Sequence, residues 1–320
     1  MMVASLVLLV VVAAVGAGLQ GDINGDGKVT AADVAVFLAQ WRAAQQGQVW
    51  DSAADLNGDG HLTHEDARLM VEAYEEHGEQ TGMLTNLFFL HHSTGEGFVT
   101  EGHMRQHIAD YNAAHGTHFE LWDHEYNSQG LRGPDGNLTG TNYAIPGDNT
   151  DPDGLHNLWT SNAPGWTWSR NQIMQHHEVI AFKSCFPASA IDSDAMLQQY
   201  KDWYLDMRDF FDQHPEKLFV VMSPPPLHRL STTMAQARRA RDFANWLKSS
   251  TYLSGHPNVV CFDLFDMLAH PDDGSVDANM LRREYERDPW GDSHPNTQAN
   301  QVVGAALAQF LCQAAENYSP

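Results

Sequence analysis

The apolar positions of the chain follow a repeating order from residue 84 onward. Short apolar runs of the strand type alternate there with longer amphipathic stretches of the helical type. The strand candidates are 84–91, 118–124, 178–183, 217–223 and 258–264, and the helix candidates lie near 101–114, 192–213, 231–249 and 297–316. Continuous apolar strands separated by helices predict a parallel sheet covered on both faces, which is a three-layer α/β/α sandwich.

The chain before residue 77 follows a different pattern, in which a short acidic loop precedes each amphipathic stretch. The loops read DINGDGKVTAAD at 22–33 and DLNGDGHLTHED at 55–66. The stretches after them carry the apolar residues Val34, Val36, Phe37, Leu38 and Trp41, then Leu69, Met70, Val71 and Tyr74. This pattern predicts a small all-α module at 19–76, joined by a polar linker at 77–82 to a larger domain at 83–320.

Both loops have the composition of a calcium site. Each places oxygen-bearing side chains at loop positions 1, 3, 5, 9 and 12 and adds the backbone carbonyl of position 7. Calcium takes six to eight hard oxygen ligands, and Gly27 and Gly60 stand where such a loop turns sharply. We therefore expect two structural calcium ions, held by Asp22, Asn24, Asp26, Lys28, Thr30 and Asp33 and by Asp55, Asn57, Asp59, His61, Thr63 and Asp66.

The duplicated loop–helix module resembles the type I dockerins, which use Asp at loop position 12 where most EF-hands use Glu. The resemblance implies calcium-dependent attachment to a cohesin module on a scaffold or cell surface. Positions 10 and 11 contribute to partner choice in that family, and here they are Ala31-Ala32 in one copy and His64-Glu65 in the other. The symmetric binding in two orientations therefore stays open, as does a module without a cohesin partner.

The apolar run VASLVLLVVVAAV at 3–15 is short for a membrane span and is followed by small residues. It predicts a secretory signal peptide at 1–18, with Val15 and Ala17 at the −3 and −1 cleavage positions. The alternative is an uncleaved N-terminal anchor. Either interpretation places the bulk of the chain outside the cell, as a secreted or surface-attached protein, with no membrane association beyond this segment.

The formal net charge of −23 argues against nucleic acid or an anionic membrane surface as a partner. The three cysteines, Cys185, Cys261 and Cys312, are too few for a disulfide framework and are not spaced as zinc ligands. We expect them to be buried, with at most one bridge.

Candidate catalytic residues stand where the chemistry of parallel α/β sheets gathers, beyond the carboxyl ends of the strands. The first strand runs into His91-His92-Ser93-Thr94-Gly95, and Asp292-Ser293-His294 precedes the final helix. We expect Ser93 and His294 to meet above the sheet as a nucleophile and its general base, the pairing that acyl transfer needs. The alternatives are that Ser93 caps a helix and that His294 belongs to a turn.

Residues 84–316 resemble the SGNH/GDSL hydrolases, whose sheet is flavodoxin-like. The resemblance implies Ser93 as nucleophile, His294 as base and the backbone N–H of Gly130 as an oxyanion donor beside that of Ser93. The family's oxyanion Asn is missing from Lys183-Ser184-Cys185-Phe186, and Asn127 or Asn142 could replace it. Gly291 stands where the family has its acid, which leaves Asp292 as the candidate partner of His294 or a Ser–His dyad.

A long segment at 131–170 is predicted as a functional loop, with Tyr143, Trp159, Trp166 and Trp168 available to stack on sugar rings. Its acidic run at 148–154 is read as a solvated turn rather than a third calcium site. The whole pattern predicts an extracellular serine esterase that removes acetyl groups from a polysaccharide and uses no cofactor for catalysis. The alternatives are a carbohydrate-binding or scaffold-attached protein that has this fold without the activity, and a protein of this fold that acts on glycans by chemistry other than ester hydrolysis.

Overall fold

The computed structural model describes residues 20–25, 29–77 and 84–318. The chain divides into two compact units between residues 82 and 83. The predicted signal peptide at 1–18 and residues 78–82 of the predicted linker lie outside the described residues, whereas His77 ends a helix. Within the described ranges, no helix has both the length and the apolar character needed to cross a bilayer.

The described part of the N-terminal unit contains two α-helices, each of which begins at position 10 of one of the acidic loops, and a short 3-10 helix at Ser52–Ala54. Helix α1 is Ala31–Gln45 and helix α2 is His64–His77. Thr30 caps α1 and exchanges hydrogen bonds with Asp33, which is a capping box. The core of the unit is formed by Val29, Phe37, Ala54, Leu62 and Met70.

Two apolar residues that the helical pattern assigned to the faces of α1 and α2 lie outside this core. The exposed fractions of Leu38 and Val71 are 45% and 56%. The sequence pattern therefore predicted both helices, but it overestimated the width of their buried faces.

The second unit is built on one six-stranded sheet with the strand order β3-β2-β1-β4-β5-β6. The strands are β1 Asn86–Leu90, β2 Glu120–His124, β3 Leu131–Arg132, β4 Val179–Phe182, β5 Leu218–Met222 and β6 Val259–Phe262. Only β3 is antiparallel to its neighbour, so the predicted α/β class with a mostly parallel sheet is confirmed. Because the chain moves outward from β1 in one direction and from β4 in the other, a crevice opens at their carboxyl ends.

Helices cover both faces of this sheet, because successive strand residues point to opposite sides. The helices are α3 Ser93–Val99, α4 Met104–His115, α5 Pro152–Thr160, α6 Pro164–His176, α7 Asp194–Phe211, α8 Met234–Leu247, α9 Ser250–Leu253, α10 Leu264–Leu268 and α11 Thr297–Asn317. Phe88 and Leu90 share one apolar core with α5 to α8, and Leu87 and Phe89 share the other with α4 and α11.

The segment 131–170 is not the irregular loop that its composition predicts, since it contains α5 and the first half of α6. Tyr143 and Trp159 are about 1% and 0% exposed, so neither can stack on a sugar. Their rings instead pack in the core beneath the sheet. Trp166 is half-buried and Trp168 is 47% exposed, which leaves these two tryptophans accessible.

Candidate active site

The hydroxyl oxygen of Ser93 lies 2.8 Å from Nε2 of His294. Ser93 is the first residue of α3, directly after β1, and the capping position of that helix is occupied by His92. His294 precedes α11, whose cap is Asn296. The two side chains therefore meet above the carboxyl edge of the sheet, where their places in the sequence predicted them.

Asp292 completes a chain of hydrogen bonds through His294. Its Oδ1 lies 2.6 Å from Nδ1 of the ring and also accepts the backbone N–H of His294 at 2.9 Å. Burial raises the pKa of Asp292, but the hydrogen bonds from His294 outweigh it and hold this pKa below its ordinary value. The arrangement is a Ser–His–Asp triad rather than a dyad.

The turn before His294 explains how an acid one residue late in the sequence still reaches the ring. Gly291 has a φ of 118°, a conformation that favours glycine, and its carbonyl accepts the hydroxyl of Ser231 at 2.7 Å. Asp288 accepts the backbone N–H groups of Trp290 and Asp292. This turn directs the carboxylate of Asp292 back to Nδ1.

The two residues predicted as oxyanion donors do not line the pocket beside Ser93. The backbone N–H of Gly130 donates to the carbonyl of Tyr126 at 2.9 Å, within a turn. The side-chain amide of Asn127 donates one hydrogen to the carbonyl of Ile145 at 2.8 Å. The prediction is corrected at both positions, because the N–H of Gly130 already has an acceptor and the side chain of Asn127 lies outside the pocket.

Asn142, the other replacement considered for the missing asparagine, is occupied as well. Its amide nitrogen donates to the carbonyl of Asn127 at 2.7 Å, and its oxygen accepts the backbone N–H of Ala144 at 2.7 Å. The backbone N–H groups of Ser93 and Thr94, by contrast, have no hydrogen-bond acceptor among the described residues. Of the two predicted backbone donors, that of Ser93 stays available.

A cavity of about 690 Å³ opens beside the triad. Residues from six segments of the second unit line it: His92 and Ser93, Tyr126, Pro146–Asp151, Trp166, Cys185–Pro187 and His294. The ring of Phe186 meets that of His294 edge-on, with ring centroids 4.9 Å apart. Cys185 thus reaches the pocket rather than the core, and all three cysteines are free thiols.

A buried charged cluster, which sequence reasoning missed, lies next to Ser93. His91 donates to the carbonyl of His92 at 3.0 Å through Nδ1, and its Nε2 lies 3.0 Å from Asp123. Asp123 also pairs with Arg105 and Arg132. The signal was a charged residue inside the apolar strand pattern of 118–124.

Neither histidine before Ser93 is exposed. His92 is 7% exposed, and its ring stacks on Tyr126 with centroids 4.0 Å apart. Burial lowers the pKa of His92 to about 4. Lys183 is fully buried and does not line the pocket.

The second acidic loop fits calcium by the chemistry of its donors. Asp55 accepts the backbone N–H groups of Gly58, Asp59 and Gly60, and Asp66 accepts those of Leu56, Asn57 and Thr63. Burial raises the pKa of Asp66, but these hydrogen bonds outweigh it and keep the carboxyl ionised at neutral pH. The ion would be held by oxygens of Asp55, Asn57, Asp59, Thr63 and Asp66 and by the carbonyl of His61.

The first loop is described in part, because residues 26–28, and with them the predicted ligands Asp26 and Lys28, lie outside the described residues. Asp33 makes hydrogen bonds at the same loop positions as Asp66, because it accepts the N–H groups of Ile23, Asn24 and Thr30. Across the described part of the chain, no three Asp, Glu, His or Cys side chains converge as metal ligands. Calcium binding would thus require the loop carboxylates to exchange some backbone hydrogen bonds for the ion.

No curated protein and no solved structure is similar enough to the chain to give a match. The described N-terminal unit does match a family. Dockerin domains bind calcium and cohesin modules, and they indicate an extracellular protein attached to a scaffold. Residues 20–73 match the family model of the dockerin type I domain, which supports the predicted dockerin module at the N-terminus.

Proposed function

We propose that the second unit is an extracellular serine esterase that removes acetyl or similar acyl groups from a polysaccharide. The observation that carries this proposal is the unbroken chain of hydrogen bonds from Ser93 through His294 to Asp292, at 2.8 and 2.6 Å. A serine hydroxyl alone is a poor nucleophile, and a base held in one orientation activates it.

In the proposed reaction, Oγ of Ser93 bonds to the ester carbonyl carbon while its proton moves to Nε2 of His294. The tetrahedral intermediate expels the sugar oxygen, which takes the proton from Nε2. Water then attacks the acyl-serine and gives a proton to His294, the carboxylic acid leaves, and Ser93 recovers its proton. Asp292 keeps the proton of the ring on Nδ1 and stabilises the imidazolium that forms twice in each cycle.

The negative charge on the carbonyl oxygen needs donors that are already in place. The backbone N–H of Ser93 is one. For the second we propose the side-chain nitrogen of Asn149, which lines the pocket and whose one hydrogen bond among the described residues is a long one of 3.4 Å to Asp153. Asn149 would then replace the asparagine that is missing after β4.

Two features support a polysaccharide substrate. The dockerin match at residues 20–73 supports attachment to an extracellular scaffold. The cavity beside Ser93 is open, is lined by the ring of Trp166 and has space for a sugar residue around the ester.

The proposal is tested by acetate release from acetylated xylan and by hydrolysis of p-nitrophenyl acetate. Wild type is compared with Ser93→Ala and with Ser128→Ala, which changes an exposed serine outside the pocket. We expect Ser93→Ala to abolish turnover and Ser128→Ala to retain it. Equal rates for wild type and Ser93→Ala would eliminate Ser93 as the nucleophile.

A second function is favoured by one observation: neither Gly130 nor Asn127 supplies the oxyanion donor that the resemblance implies. A protein with this pocket and no effective oxyanion site would bind a polysaccharide without cleaving its esters. It would retain acetylated xylan in a pull-down and release no acetate.

A further inference from the structure

The wall of the pocket beside Ser93 carries acidic side chains and, among the described residues, no lysine or arginine side chain. Two carboxyl groups, those of Asp148 and Asp151, are among its lining residues. No lysine or arginine of the described chain lines it. His92 shares the wall and is neutral at pH 7, because burial depresses its pKa to about 4.

Asp148 is held in place by the contacts of its carboxylate. Its φ of 55° lies in the left-handed region, which Asp adopts more readily than most residues with a Cβ. Its Oδ1 accepts the backbone N–H of Asn127 at 2.9 Å and lies 3.6 Å from Nε2 of His92. The carboxylate of Asp148 is therefore held in position and does not move readily away from a bound ligand.

Asp151 adds a second acidic group on the same wall. It occupies the capping position of α5, and its backbone N–H donates to Oδ1 of Asn149 at 2.8 Å. Burial and the neighbouring Asp153 raise the pKa of Asp151, whereas Lys183, which is fully buried and does not line the pocket, lowers it. A ligand in the pocket therefore meets the acids and not the lysine.

We propose that the pocket selects uncharged sugar residues and rejects uronic acids, an inference that deepens the proposed esterase function and rests on it for the reaction. The hydroxyl groups of a neutral sugar donate hydrogen bonds to the two carboxylates, and Trp166 offers a face for the ring. A uronate carboxylate at the same place would lose its hydration beside two like charges, without a cation to compensate.

The test compares two ligands that differ only in charge, a neutral gluco-oligosaccharide and the same oligosaccharide oxidised at C6 to the uronate. Binding is measured by titration calorimetry to the full chain carrying Ser93→Ala. At low salt we expect the neutral ligand to bind at least about tenfold more tightly than the uronate. High salt should reduce this ratio of affinities, because it screens the repulsion between the uronate and the two carboxylates.

The double variant Asp148→Asn/Asp151→Asn retains an oxygen at each position and should reduce the ratio to within about threefold. Asp209→Asn/Glu216→Gln removes the same amount of charge from exposed positions outside the pocket and should leave the ratio unchanged. A uronate that binds as tightly as the neutral ligand, or two ligands that both fail to bind, would overturn the inference.

Hydrolysis of p-nitrophenyl acetate separates this inference from the proposed function. If wild type does not hydrolyse that ester but the neutral ligand is preferred, the esterase proposal fails and the selectivity stands. If wild type hydrolyses the ester through Ser93 and the two oligosaccharides bind equally, the selectivity fails and the esterase proposal stands.

Discussion

Asp292 holds His294 by two hydrogen bonds, one to Nδ1 of the ring at 2.6 Å and one to the backbone nitrogen at 2.9 Å. The ring is thereby fixed with its second nitrogen, Nε2, facing Ser93. Which nitrogen of a neutral histidine carries the proton depends on the partner of the other nitrogen. An ionised carboxylate at Nδ1 selects the tautomer in which Nε2 can accept the proton of a serine.

The first prediction concerns Asp292→Asn. The amide can still fill the space, but it no longer stabilises the imidazolium and favours the wrong tautomer, so kcat should fall by about 10³- to 10⁴-fold. The measurement is the steady-state hydrolysis of p-nitrophenyl acetate. Asp288→Asn is the matched control, since it leaves an oxygen to accept the N–H groups of the turn, and it should stay within a few fold of wild type. Equal losses in the two variants would contradict the triad.

The second prediction concerns Asn149→Asp, which keeps an oxygen to accept the N–H of Asp151 and removes the proposed oxyanion donor. We expect kcat to fall by about 10²-fold or more, with a smaller change in KM. Asn162→Asp makes the same change at an exposed position outside the pocket and serves as the control. Wild-type turnover by Asn149→Asp would exclude Asn149 from the oxyanion site.

The third prediction concerns the buried Asp123. Burial raises the pKa of this carboxyl, but His91 and Arg105 outweigh it and hold the pKa at about 2. Because the folded pKa lies below the unfolded value, Asp123 contributes stability above about pH 4, and that contribution is lost as the pH falls toward about 2. It amounts to about 2 kcal/mol.

Asp123→Asn tests this contribution by urea-induced unfolding of the full chain at several pH values. At pH 7 we expect the variant to lower the free energy of unfolding by about 3 kcal/mol, because the cationic partners lose their counter-charge. The difference in the free energy of unfolding between wild type and the variant should decrease as the pH falls from about 4 to about 2. The exposed Asp110→Asn is the control, and a deficit that does not change with pH would contradict the assignment.

The fourth prediction concerns calcium and the N-terminal unit. Carboxylates gathered in each acidic loop repel one another, and a bound ion removes that repulsion, so binding and folding should be coupled. In calorimetry of the full chain, one unfolding transition should occur at a higher temperature with calcium than with chelator. At a calcium concentration a hundredfold above Kd, the free energy of unfolding for that transition should increase by about 2.7 kcal/mol.

Asp66→Ala should weaken that calcium response, whereas Asp51→Asn, outside both loops, should retain it. Identical thermograms with calcium and with chelator would contradict the coupling of metal binding and folding.

The sequence predicted the elements whose apolar pattern is long and regular. The five parallel strands and the helices α4, α7, α8 and α11 lie where the pattern indicates. The pattern did not predict helices α5 and α6, because Pro152 and Pro164 are typical of loops as well. Proline also favours the first position of a helix, and this preference could have indicated where both helices begin.

The candidate site was predictable in its residue types and only partly in its geometry. Ser93 and His294 follow from their positions beside β1 and α11. Gly130 could not be judged from sequence, because its N–H is engaged in a local turn with Tyr126 that no periodicity reveals. The requirement for glycine at position 95 also depends on a contact that the sequence does not reveal. A Cβ added at Gly95 would lie 2.3 Å from Cβ of the buried His91, so there is no space for a side chain.

The most direct measurement of the central claim is covalent labelling of the full chain with diisopropyl fluorophosphate, followed by mass spectrometry of its peptides. An activated serine forms a bond to phosphorus and releases fluoride. We predict one adduct, on the peptide that contains Ser93, absent from Ser93→Ala and formed at least about 100-fold more slowly in His294→Gln. A chain in which Ser93 stays unmodified, or is labelled equally fast without His294, would contradict the assignment of Ser93 as an activated nucleophile.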